Sequence, residues 1–564
     1  MTVEQTSPLN DPVPDTINVH QRKRHKVKAA SNINNSSEKT QAALETLFLG
    51  YTTTGAEEGG TPNANEWLIP PLIMTLTWCS WWFICRSSDV SGSVRIKVVS
   101  ALAMMILAQG TPAAFFLPLM VSVSVVTPKP QVEPVYFIQS PAPVSKPNSR
   151  LQELYRWKIA DFIYPNEARR LEAIANGSFK PENNLPLGLD VWQNRIFVTF
   201  PIWKSGIPAT LATIPRNPSL TGGNRSPRFS PYPNWSWHGN NNCYGMTSVF
   251  RITVDPCGRL WVMDSGITDV AISPRQTCPP QLLIFDLKSD DIILRYRLPD
   301  DQVKQDSIFT NIVVDIRDGK CDEAYAYITD SWRYALIVYS LQQDHSWRIA
   351  NNLFYPDPLA SRYTLHGITW RWNDGIFGIA LSPVDPDTND RSLIYHPMSS
   401  FREFVVPVSY IRNKTLADLN PDAFQPLGEP RATRNGHASA QAIDRRGILF
   451  QNLVTQDSVW CWNSQQPYGY RPELLGVVGH DNVSLNFPND LKVDNELHQN
   501  VWVLSNRLPH YLYAKVDHND YNYRILTART DKAVQGTVCD PNYDIVPQQP
   551  PVGQDIGSSF GFPF

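Results

Sequence analysis

From residue 187 to residue 507 the chain repeats one pattern: a short apolar run that usually ends in Asp, a turn, and a second run rich in Trp, Tyr and Val. The copies are LGLDVWQNRIFVTFP (187–201), RITVDPCGRLWVMDSG (251–266), IVVDIRDGKCDEAYAYITDS (312–331), GITWRWNDGIFGIALSP (367–383), AQAIDRRGILFQNLV (440–454) and DLKVDNELHQNVWVLSNR (490–507). Short apolar runs bounded by turn residues read as paired strands. The second run of each copy starts near residues 195, 259, 324, 375, 447 and 500, so successive spacings are 64, 65, 51, 72 and 53. Further strand runs follow most copies, such as QLLIFDL and IILRYRL after the second, and SLIYHPM and FREFVVP after the fourth. Four short antiparallel strands per unit, repeated six times, predict an all-β fold, a six-bladed β-propeller of four-stranded antiparallel blades. A tandem of sandwiches would not repeat one hairpin in register. The one clear helical pattern is NEARRLEAIANG (166–177).

The repeats do not fill the chain. Residues 1–66 are polar and read as a disordered extension. Residues 67–135 hold two uncharged runs, WLIPPLIMTLTWCSWWFIC (67–85) and VVSALAMMILAQGTPAAFFLPLMVSVSVV (98–126), the second preceded by Arg95 and Lys97. They read as a signal or signal-anchor region with a linker. The propeller is expected over 136–545 and a flexible tail over 546–564. Six cysteines (243, 257, 278, 321, 461, 539) and five N-x-S/T sites (Asn176, Asn224, Asn234, Asn413, Asn482) lie in the folded part. Together with the apolar segment they predict a secreted glycoprotein. The net charge of −3 gives no reason for a nucleic-acid partner. No CxxC, HExxH or phosphate-loop motif is present.

The segments WKSGIPATL (203–211), YPNWSWH (232–238), RLWVMDSG, QLLIFDL, FYPDPLASRYTLHGITW (354–370), GIFGIALSP, FPNDLKVD (487–494) and VWVLSNR (501–507) resemble the yellow and major royal jelly protein family of insects. The resemblance runs from about Leu151 to Cys539. It implies a secreted propeller acting in cuticle or eggshell pigmentation and melanisation by binding catechols or biogenic amines in the central channel. It also implies two alternatives: a dopachrome-converting tautomerase, or a structural protein of the extracellular matrix without a ligand. The expected partners are small aromatic amines or catechols and the cuticle or eggshell matrix, with membrane contact only through the N-terminal apolar segment if it is retained. No cofactor is expected, although Asn and Asp oxygens in the channel would suit Ca²⁺ by analogy with other propellers.

Strand direction orders the cysteines. Cys243 and Cys278 fall at one end of a blade, whereas Cys257 and Cys321 occupy the same turn in successive repeats, DPCGRL and DGKCDEA. A 257–278 bridge would have to cross a blade, beyond disulfide reach. The expected pairs are Cys243–Cys278, Cys257–Cys321 and, by elimination, Cys461–Cys539.

The leading ends of the first strands should cluster at one mouth of the channel. They offer Thr310 and Asn311, Thr364 and His366, His437, Phe487 and Asn489; the second strands bring Asp264, Asp330 and Asn506 to the same face. Such short polar groups with aromatic neighbours suit an aromatic amine bearing hydroxyls. If the site is catalytic, His366 or His437 is the candidate base and Asn489 or Asn506 the oxyanion donor. Each residue also has a plain structural reading. Asp264 and Asp330 sit in strong turn formers, and either His beside a Gly could simply bond a carbonyl.

Overall fold

In the second, fifth and sixth repeats the first hairpin closes around an Asp just after the first strand that collects the donors of the turn. Asp255 Oδ1 accepts the amide N–H of Cys257 (2.8 Å) and of Arg259 (3.0 Å), and its Oδ2 accepts the Trp261 indole N–H (2.7 Å). Asp444 accepts the amides of Arg446 and Ile448, and Asp494 those of Asn500 and the Trp502 indole. A short acceptor at this place satisfies turn amides that the ladder leaves open.

The computed structural model describes residues 148–239, 243–467 and 469–543, all within the compact unit Ile138–Phe564. The extension 1–66, the apolar runs of 67–135 and the tail 546–564 lie outside the described residues. Six four-stranded antiparallel sheets form the blades of a β-propeller. Blade 1 holds Leu189–Trp192, Arg195–Thr199, Leu211–Pro215 and Ser230–Pro231. Blade 2 holds Val249–Val254, Arg259–Asp264, Gln281–Asp286 and Ile292–Arg297; blade 3 holds Phe309–Asp315, Tyr325–Asp330, Ala335–Ser340 and His345–Ala350. Blade 4 holds Ile376–Leu381, Ser392–Pro397, Phe404–Pro407 and Gln425–Pro426. Blade 5 holds Ala438–Ile443, Ile448–Leu453, Ser458–Asn463 and Leu475–His480, with Asn148–Ser149 added at its edge. Blade 6 takes Pro488–Val493, Asn500–Ser505 and Tyr523–Arg529 from the end of the chain and its outer strand, Gln152–Trp157, from before blade 1. That shared blade closes the ring by hydrogen bonds between distant parts of the chain.

The first strand of every blade packs against the first strands on both sides, so these six line the axis. Arg251 rivets them. Buried and stripped of solvent, it donates to the carbonyl oxygens of Ser439 and Asn489, lies 3.3 Å from Asp490 and faces the Phe377 ring. Blades press on neighbours through both faces, which is why Ala335–Ser340 is buried at every position instead of alternating. Disulfides join Cys243 to Cys278, Cys257 to Cys321 and Cys461 to Cys539, with Cα atoms 5.5, 6.1 and 6.1 Å apart. The first two are the pairs read from strand direction and the third the one left by elimination; the second staples blade 2 to blade 3, and the third ties the segment after blade 6 to blade 5. The helix Glu167–Ala175 starts at Asn166, whose side chain accepts the Arg169 amide. All five N-x-S/T asparagines are solvent-exposed. Among the described residues no helix is long and apolar enough to cross a membrane.

One repeat departs from the sequence reading. The fourth copy predicts 367–371 as a first strand and the run from 375 as the second. Instead Ile376–Leu381 is the innermost strand, and Arg362–Leu365 pairs with Ile368–Arg371 in a separate two-stranded hairpin. The shift has a packing cause. A Cβ on Gly378 would sit 2.2 Å from the His396 ring, so only glycine lets this strand approach the next. The displaced hairpin buries Tyr363, Leu365 and Trp370 on one face and exposes Arg362, Thr364, Thr369 and Arg371 on the other.

Candidate functional site

The connections at the leading ends of the first strands enclose a cavity of about 190 Å³. Its walls are apolar and rich in rings, Trp203, Phe250, Trp332, Trp372, Phe377, Phe487 and Tyr513, with Thr310, Asn489 and Asp374 as the polar groups. Trp370 and Trp372 lie 5.3 Å apart, Trp370 stacks on Tyr513 at 5.9 Å, and the Trp372 indole N–H donates to the Tyr513 hydroxyl (2.5 Å). A wider groove of about 390 Å³ lies outside and shares Trp332 and Asp374 with the cavity. Asp374 therefore stands where the two spaces meet.

Asp374 is the only formally charged residue among those lining the inner cavity. Its Oδ1 accepts the Trp332 indole N–H at 3.0 Å. Burial among the rings lifts its carboxyl to about 6, opposed by that hydrogen bond. The carboxyl thus changes charge near neutral pH while still reachable through the cavity. Asn489 is buried; its Oδ1 lies 3.3 Å from an Arg251 guanidinium nitrogen, and its Nδ2 has no hydrogen-bond partner among the described residues. Unspent amide donors at a cavity wall are available to a ligand oxygen. The Thr310 hydroxyl is shared with those of Thr329 and Ser331.

Of the residues expected at the mouth, three line this cavity: Thr310, Phe487 and Asn489. Asn311 lies one residue deeper and bonds the Phe377 carbonyl across to blade 4. Asp264, Asp330 and Asn506, also expected there, do not line this cavity and bond elsewhere. Asp264 is fully buried and accepts the amides of Thr247 and Ser248 and the Gln281 side chain. Asp330 accepts from Ser307, the Ile308 amide and Arg348. Asn506 donates to the Pro186 carbonyl and accepts the Leu508 amide. The two aspartates, at strand ends, are drawn to the unpaired amides of the preceding connection, whereas Asn506 serves a carbonyl just before blade 1 and the amide two residues ahead of it.

Neither of the two histidines lines the cavity. His437 is fully buried beneath Tyr363, with centroids 3.7 Å apart; its Nε2–H donates to the Ala360 carbonyl at 2.8 Å. Burial drops its pKa to about 4, so it stays neutral and is held as a packing group. His366 and Thr364 ride on the displaced hairpin: Thr364 is exposed, its hydroxyl 3.1 Å from that of Thr369, and His366 at the tip pairs with Asp457 at 2.8 Å. Among the described residues no group of three or more His, Cys, Asp or Glu is placed to hold a metal ion.

The sequence reading missed Asp374, Trp332, Trp372 and Tyr513. Asp374 lies in RWNDGIFG, where an Asn-Asp-Gly run signals a hairpin turn; here it instead precedes an innermost strand. The available signal was two tryptophans and an acid within five residues, an aromatic density beyond what a turn needs. Tyr513 ends the short helix Leu508–Tyr513, too brief to show a period.

The family model for major royal jelly protein matches residues 247–539. A dopaminechrome tautomerase of Drosophila melanogaster is 44% identical over 400 residues, covering 70% of this chain and 85% of that protein. Protein yellow of Drosophila yakuba is 41% identical over 421 residues (72% of this chain, 76% of that one), and Protein yellow of Drosophila melanogaster is 40% identical over 412 residues (71% and 74%).

Proposed function

Because the chain belongs to the yellow and major royal jelly protein family, we propose that it is an extracellular pigmentation protein that tautomerises a catecholamine-derived aminochrome in the ring-lined cavity. The observation that carries this reading is Asp374, a carboxylate with a raised pKa set among tryptophans. The relative named for dopaminechrome and the disulfide-stapled fold support it.

Proton transfer needs a base near neutrality and a flat binding slot. The rings take the planar bicycle. Asp374, ionised, removes a proton from the saturated ring carbon next to the iminium; the C–H electron pair aromatises the six-membered ring, and a second proton shift, from the other saturated carbon to the remaining oxyanion, completes the indole. The quinone oxygen takes a proton from water, with the Asn489 Nδ2–H groups steadying its developing charge. Asp374 then returns its proton to water through the outer groove. Atoms and electrons balance as an isomerisation, and no redox partner enters.

The cavity's charge sets a preference. A carboxylated aminochrome such as dopachrome would bring an anion beside Asp374, and like charges in a dry site are costly. Dopaminechrome is expected to be turned over at least about ten-fold more efficiently than dopachrome, about 1.4 kcal/mol in kcat/KM. Loss of the visible absorbance of each, against a heat-killed control, measures this. Equal rates would remove the charge argument. Saturable dopamine binding with no acceleration would favour a binder without turnover, a reading with its own support: a carboxylate among ring faces also suits an ammonium group.

A further inference from the structure

We infer that His366 and Asp457 form a pH-released clamp that positions Phe487, so that His366 acts on the cavity through its wall and not as a base. This rests on the proposed reading that the cavity is the ligand site. Three connections meet at the Asp457 carboxylate. His366, at the tip of the displaced hairpin, brings Nε2 within 2.8 Å of Asp457 Oδ2. Asp457, between the second and third strands of blade 5, accepts the Phe487 amide N–H on Oδ1 at 3.3 Å. Phe487 is fully buried and lines the cavity. The Asp457 carbonyl also accepts the Asp481 amide.

Backbone geometry singles out this junction. His366, Asp457 and Phe487 all hold left-handed φ angles, 48°, 47° and 50°. Residues with a Cβ disfavour this region, Phe more than Asp or His, and persist there only when their surroundings hold them. For Phe487 part of that hold is the Asp457 carboxylate, and Asp457 is steadied by the imidazolium. The His366 side chain keeps about a quarter of its exposure (27%), so protons reach it, whereas that of Asp457 is 8% exposed.

The groups facing His366 are Asp457 from blade 5, with Arg507 and His510 from the segment after the second strand of blade 6. Arg507 is itself paired with Asp520. The hydrogen bond from Asp457 raises the His366 pKa above the ordinary histidine value, against burial and the Arg507 charge. A raised histidine pKa means the charged clamp is complete below the ordinary value of about 6.5 and is lost as pH rises through the raised one.

Hydrogen exchange of the full chain tests this at about pH 6 and about pH 8.5, with rates corrected for the intrinsic pH effect. In the native protein, protection of the Phe487 amide is expected to fall about three- to five-fold across that window, the size of effect a partly exposed ion pair supports. In His366→Gln, which keeps an N–H toward Asp457 but cannot titrate, it should stay within about 1.5-fold; Asp457→Asn should likewise remove the pH dependence. Dopamine affinity, read by quenching of cavity tryptophans, should weaken with pH more in the native protein than in His366→Gln. The same fall in protection in both proteins would overturn the clamp. An affinity that ignores the substitution would overturn its link to the cavity. Turnover abolished in His366→Gln at every pH, with exchange unchanged, would return His366 to the role of base.

Discussion

Asp374→Asn is expected to lower kcat for dopaminechrome at least about 100-fold while KM changes far less, because a positioned base contributes roughly 10²–10⁴ to a proton transfer. Asn keeps the size of the side chain and an oxygen for the Trp332 indole N–H, now 3.0 Å from Asp374 Oδ1, so the cavity should stay shaped. Only the capacity to take a proton is lost. The pH profile of the native protein supplies the matching sign: a base must be ionised, so kcat/KM should rise as pH passes through about 6, where burial has moved this carboxyl. Stopped-flow absorbance across that range measures both. Activity retained in Asp374→Asn would sink the proposed chemistry while leaving the ring-lined cavity as a binding site.

Glu403→Ala should cost about 3–5 kcal/mol of stability, the usual result of removing one partner from a buried charged cluster. Glu403 is the hub between blades 4 and 5. His396 Nδ1 lies 3.0 Å from one of its oxygens, the Gln451 amide donates to it at 2.6 Å, and the Arg431 guanidinium bonds it as well. The side chains of His396, Glu403 and Arg431 have no exposure at all. Arg431 also donates to the carbonyls of Gly436 and Ser400, neutral groups that cannot replace a carboxylate. Truncation strands a guanidinium where water does not reach. Glu403→Gln keeps the acceptor but not the charge and should cost less. The exposed Lys414–Asp418 pair is the internal comparison, expected to yield well under about 1 kcal/mol when broken. Urea denaturation compares the three; a loss below about 1 kcal/mol for Glu403→Ala would mean that Arg431 finds another acceptor.

The contrast between these two sites explains how far the sequence could be read. Thr310, Phe487 and Asn489 were legible because a first strand has a direction, and its leading residues must surround the axis. The same rule misplaced Thr364 and His366, since it assumed that the strand after RWNDG was a second strand. Gly378 and the buried His396 ring decided otherwise, and no local pattern announces them. Asp264 and Asp330 carry the right chemistry at the right face, yet buried amides claimed them before any ligand could. Glu403 lies in FREFVVP, which reads correctly as a strand while giving no sign that its acid faces inward.

The sequence by itself determined the propeller, five of its six blade hairpins and the pairing of its cysteines. Each depends on alternation along a strand, on turn residues and on strand direction, all of which are local or repeated. Only the tertiary structure decided the cavity, because its walls come from connections that share no period. Trp203 sits between the second and third strands of blade 1, Trp332 sits in blade 3, Asp374 precedes blade 4 and Tyr513 belongs to blade 6. What brings them together is the closing of the ring, and the Asp374 pKa, like the His366 clamp, exists only once that closure has excluded water and set distant side chains against one another.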